Sequence, residues 1–134
     1  MWRGYGSAIF LEFGKLRPMT RMDGKRGNPQ GEMSLMVEWS WRIEGVRSIL
    51  CGSWSDEPLW PKTFAKLKKA KVNEVSLFGR LNEVDVKLDN KIHVVSFSTI
   101  EGYPQWTIFN RTADSWLTVR NGSLSLEGSA RRKL

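Results

Sequence analysis

The chain holds one histidine, His93, and one cysteine, Cys51, so any imidazole-assisted nucleophile must be built from that single ring. In a strand, His93 shares its face with Val95 and Phe97, which predicts a packed ring rather than a catalytic one. Cys51 is expected as a small buried thiol. A zinc site of cysteine and histidine needs three or four ligands, more than this chain offers, and no metal or other cofactor is expected. Glu83, Asp85 and Asp89 fall on one face of a strand, and paired carboxylates are the working parts of glycosidases. Lys87 between the last two favours the ionised acids, so a solvated strand face is expected there. Gly4-Tyr5-Gly6 precedes a strand rather than a helix, and Gly24-Lys25-Arg26-Gly27 lacks P-loop spacing, so neither cradles a phosphate.

The conspicuous outward chemistry is cationic. The net charge is +7, and residues 62–71 hold five lysines and no acid. On a helix, Lys62, Lys66 and Lys69 lie along one face with no carboxylate at i±4 to pair with. A second basic segment holds Arg21, Lys25 and Arg26. Together they form a candidate anion or nucleic-acid patch, and base stacking would draw on aromatics at element ends: Trp2, Tyr5, Trp54, Trp60 and Tyr103. Trp54, Trp60 and Arg42 are the candidate contacts for a protein partner, Arg42 because a guanidinium on an outward strand face can anchor a carboxylate or phosphate.

These groups are positioned by strands. From Met33 to Ile43 apolar and polar residues alternate without a break, which predicts one half-buried strand with Trp39 and Trp41 both facing inward. Ser7–Phe13 reads as a first strand, and residues 15–31, rich in glycine, proline and charge, as a long basic loop without regular structure. Val46–Trp54 follows as a partner strand. Residues 60–72 form the one predicted helix, with Asp56-Glu57 capping its start and Pro61 in its first turn. Strands are then expected at 75–79, 84–88, 92–99, 106–109, 116–119 and 123–127. Asp89-Asn90 and Asn121-Gly122 supply tight hairpin turns, and 92–99, apolar on both faces, is expected at a sheet centre. A disordered basic tail is expected over 128–134.

About eight short strands joined by tight turns give a mainly β fold, an antiparallel barrel or sandwich with one helix, in a single domain spanning 1–134. The early apolar stretch is broken by Glu12, too short for a signal-peptide core, and no run reaches the ~20 residues that span a bilayer. With one cysteine and no disulfide, a soluble cytoplasmic protein without membrane association is expected.

Gly31-Glu32 before the long strand, Trp41-Arg42-Ile43 within it, Gly52-Ser53 and Asp56 after it, and the later run from Glu83 through His93 to Trp106 form a pattern. Over residues 7–127 it resembles a group of small bacterial proteins with a Gly-Glu…Trp-Arg-Ile…Gly-Ser-x-Asp signature and no assigned activity. Trp54, inserted between Ser53 and Ser55, departs from it. The resemblance implies a bacterial origin and a compact domain.

The functional expectation is a small non-enzymatic binding domain that recognises a protein partner, of the accessory, immunity or antitoxin kind, or that forms a homo-oligomer. The alternative is a nucleic-acid-binding β domain using the lysine-rich helix and the basic N-terminal loop.

Overall fold

Alternating apolar residues must bury one face of each strand, and two sheets packed face to face satisfy them all. The computed structural model describes residues 2–3, 7–102 and 104–128. The exposure expected of the Trp2, Tyr5 and Tyr103 side chains, and the basic tail after Gly128, lie outside the described residues.

Eleven strands occur among the described residues. The first sheet has the order β1-β2-β3-β9-β10-β11, with β1 (Trp2–Arg3), β2 (Ile9–Phe13), β3 (Met33–Val37), β9 (Pro104–Asn110), β10 (Ser115–Arg120) and β11 (Ser123–Gly128). The second has the order β5-β4-β8-β7-β6, with β4 (Trp41–Glu44), β5 (Ile49–Gly52), β6 (Val72–Phe78), β7 (Glu83–Leu88) and β8 (His93–Ser96). All pairs are antiparallel and no ladder joins the two sheets, so the fold is a sandwich and not a closed barrel. The first sheet is assembled from both ends of the chain, while the second is one unbroken stretch set between them.

The strand expected over 33–43 is two strands in different sheets. The chain turns the corner between them at Trp39, whose φ is +66°, and β4 resumes at Trp41. The alternation survives because Leu35 and Val37 enter the core from one sheet while Trp41 and Ile43 enter it from the other. Trp39 sits on the corner itself and is 46% exposed, so the expectation that both tryptophans point inward holds for Trp41 alone.

The helix is shorter than expected. α1 covers Trp60–Ala65, preceded by a 3-10 turn at Glu57–Leu59. Beyond Ala65 the chain continues in i−3 turns, with Leu67 N donating to Phe64 O and Ala70 N to Leu67 O, and Lys69 takes a φ of +67°. Four lysines between 66 and 71 with no acid among them oppose another turn of helix. Asp56 makes no side-chain cap bond. The hairpin after β7 also differs in detail, because Lys91 rather than Asp89 or Asn90 takes the positive φ. Asn121-Gly122 forms the expected tight turn with both φ values positive. β8 lies between β4 and β7, the central place expected for it.

Residues 15–31 are not without order. Arg17 and Gln30 exchange backbone hydrogen bonds of 2.7 and 3.0 Å, and Gly27 N donates to Met19 O, so the segment is an irregular hairpin folded back at Gly24.

The core lies between β2, β3, β9 and β10 on one side and β4, β5, β7 and β8 on the other, centred on the fully buried Trp106. Its indole N–H donates to Asn82 O at 2.8 Å. Trp60 packs edge-on against Trp41 with centroids 5.0 Å apart, and Phe64 closes the cluster. Among the described residues no helix is long and apolar enough to cross a membrane.

Candidate functional site

Trp54 is the most exposed tryptophan that is described, at 91%, and the residues around it explain how it is held there. The turn Gly52–Ser55 is fastened from three directions. Ser55 Oγ accepts from Gly52 N and Ser55 N donates to Gly52 O, each at 3.0 Å. Ser53 Oγ accepts from Trp41 N at 3.2 Å, and Ser53 N donates to Trp41 O at 2.9 Å. The buried Trp60 donates its indole N–H to Ser55 O at 3.2 Å. Small hydroxyl residues thus tie the turn to β4 and leave the one large side chain between them in solvent.

Beside it, Phe97 N donates to Ser40 O, and the Ser40 and Thr99 hydroxyls meet at 2.9 Å. The corner is clamped from the other side by Ser7 Oγ on Trp39 O and by the Trp41 indole on Ser7 O at 2.6 Å. These ties shape two adjoining cavities of about 380 and 340 Å³ that share Ser40, Ser53, Trp54 and Thr99. Arg42, Ile49 and Phe97 complete the first, and Trp39 and Ile100 the second. Trp41 forms the floor of the first, backed by Trp60. The site is a mostly apolar cleft with a few hydroxyls and one guanidinium at its rim, suited to seating apolar side chains. Two of the three expected partner contacts, Arg42 and Trp54, therefore line one cleft. Trp60 does not, because its ring is buried beneath it as support. Arg42 is bound to Glu44 at 2.5 Å, an ion pair on a half-open strand face.

The other candidates fall elsewhere. Ile43 is opposite both Cys51 and Val94, so Cys51 faces the core. His93 is opposite Glu44 on the other face, so thiol and imidazole are separated by the sheet. Burial pushes the Cys51 thiol above its ordinary range. His93 Nδ1 lies 2.7 Å from Asp85 Oδ1, with both side chains about 30% exposed. Glu83 is not the solvated acid expected. It is buried, and its carboxylate accepts from Ser96 Oγ at 2.5 Å and Ser98 N at 3.0 Å. Lys62, Lys66 and Lys69 are all exposed, but Lys69 lies past the helix end, so they do not form a helical stripe. Arg21, Lys25 and Arg26 are exposed on the hairpin of 15–31, Arg21 in an ion pair that holds Asp23 below the usual carboxylate range.

Sequence reasoning missed one cluster. Glu12, almost fully buried, accepts from Gly31 N at 2.8 Å and from Ser34 Oγ, with Arg111 Nη1 3.4 Å away. That nitrogen also donates to Gly31 O at 2.9 Å and Ser34 Oγ at 2.5 Å. Arg111, with Lys15, Arg17 and Glu32, lines a cavity of about 540 Å³. A separation of ninety-nine positions in sequence left no local signal that Glu12 and Arg111 meet.

No family model, no curated protein and no solved structure matches the chain.

Proposed function

We propose that this is a non-enzymatic binding domain that recognises a protein partner through the Trp39–Trp54 cleft. The observation carrying this reading is Trp54 itself: an indole carried into solvent by a hydrogen-bonded turn at the mouth of an apolar cleft. A monomer gains nothing by exposing its largest side chain, whereas tryptophan and arginine over a pocket are the residues that dominate interface energetics. The hydrogen-bonded turn matters as well, because the backbone that carries the indole has little freedom left to lose on association. The resemblance to small bacterial proteins, and an accessory, immunity or antitoxin role, belong to the same reading.

The test is paired capture from the source organism with wild type and Trp54→Ala. A stoichiometric protein retained by the wild type and bound about 30-fold or more weakly by the variant, at unchanged melting temperature, is the expected result. Equal retention by both overturns the reading. So does turnover of a substrate that His93→Ala or Cys51→Ser abolishes.

Nucleic-acid binding is the second reading, favoured by one observation. Phe13 and Met33, at the base of the basic hairpin, share a cavity with Val72, which follows the lysine-rich segment directly. Both cationic segments thus approach one end of the sandwich. Oligonucleotide titrations at two salt concentrations are expected to show affinity falling steeply with salt, and no binding at low salt removes this alternative.

A further inference from the structure

The two sheets do not end together. In the first sheet, the register aligns Leu11, Leu35, Ile108, Leu117 and Leu126 in one inward-facing row. Leu11 and Leu35 are buried, Ile108 and Leu117 half-buried, and Leu126 is 53% exposed. In the adjacent row Val119 is fully buried and its cross-strand partner Leu124 is exposed. The second sheet repeats the pattern. Ile43, Val94 and Val86 are buried, but Val75, next in the same row on β6, is 48% exposed, as is Leu77 to a similar degree.

The position of β6 explains this. Its Phe78 end leads into the turn where Asn82 Nδ2 donates to Gly122 O at 2.7 Å and Leu81 rests on Gly122. Its Val72 end lies instead over Phe13 and Met33, with Val75 and Ile108 around the same apolar cavity of about 200 Å³. β6 therefore crosses the first sheet obliquely. The inward side chains of β10 and β11 form an apolar ledge beside its free edge, and among the described residues no strand pairs with that edge.

We propose that the β6 edge and the ledge of Leu117, Leu124 and Leu126 accept an extended segment of a partner protein. The segment is apolar at alternate positions and acidic at both ends. A strand added to β6 would extend the second sheet, satisfy the open backbone groups of β6 and place every second side chain on the ledge. Charge selects the ends: exposed Lys71 precedes β6 directly and exposed Arg80 follows it by two residues, on a chain of net charge +7. Geometry disfavours a second copy, because joining two β6 edges would drive both β10–β11 ledges into the same layer. Residues 129–134 carry Arg131, Arg132 and Lys133 and no acid, the wrong charge for this site. This surface is independent of the Trp54 cleft.

The probe is a synthetic peptide of alternating valine and threonine with glutamates at each end, compared with the same peptide ending in lysines. Titrated into the full isotope-labelled chain, the glutamate peptide is expected to shift the amides of Val72–Phe78 and Leu117–Leu126 and slow hydrogen exchange along β6. It should bind about tenfold or more tightly than the lysine peptide. Leu124→Lys should weaken it by at least a comparable factor, with the milder Leu77→Thr as a second variant should the first disturb folding, and Trp54→Ala should leave it unchanged. The proposal is overturned by no saturable binding at low salt, by equal affinity for the two peptides, by shifts confined to the Trp54 cleft, or by a peptide-free dimer in sedimentation with β6 already protected.

Discussion

At Gly31 a Cβ would lie 2.2 Å from Phe13 O, so the backbone of the returning hairpin can pass β2 only without a side chain. The same residue donates its N–H to buried Glu12 and accepts from Arg111 at its carbonyl, so a displaced backbone would also loosen this ionic cluster. Gly31→Ala is expected to cost about 2 kcal/mol or more, measured by denaturant unfolding. Glu38 offers a pH-dependent counterpart. It is half-buried beside Trp39, and desolvation raises its carboxyl above the ordinary range. A carboxyl raised in the folded state favours folding while protonated, and that contribution disappears as pH rises through its folded pKa. Glu38→Gln should therefore stabilise the chain modestly at neutral pH, since the carboxyl keeps much of its solvent screening. The difference should vanish in melts below the ordinary glutamate range.

At the scale of elements, α1 acts as a plug rather than a binding face. Trp60 and Phe64 fill the space against Trp41, and the Trp60 indole also holds the turn that presents Trp54. Trp60→Ala is expected to lose about 3 kcal/mol in unfolding and to release the Trp54 turn, read as faster amide exchange at Ser53 and Ser55. The strands were largely legible in the sequence because period-two alternation reports burial directly, as at Val84, Val86 and Leu88. The corner at Trp39 was not, because alternation records which side chains are buried and not which sheet buries them. Leu35 and Ile43 keep the same parity through a change of layer, and the only local mark of that change is a backbone angle. The cleft was half legible. Trp54 and Arg42 stood out by type, but Phe97 and Thr99 reach it through tertiary pairing of β4 with β8, which one strand's pattern cannot reveal.

At the scale of the molecule, the sandwich has one sheet nested inside the other in chain order. β4–β8 are sequence neighbours, whereas Val37 must find Trp106 and Met33 must find Asn110 across the whole of that insert. Closing so long a loop costs entropy that only the inner sheet can offset beforehand. In pulse-labelled refolding, the amides of Ile43, Val86 and Val94 are expected to gain protection before those of Val37 and Trp106, and the opposite order would contradict this. During synthesis the consequence is sharper. β1 to β3 leave the ribosome first but stay half a sheet until β9 emerges, so their apolar faces wait exposed while the inner strands pair. A nascent chain of this topology depends for that interval on whatever shields it in the cell.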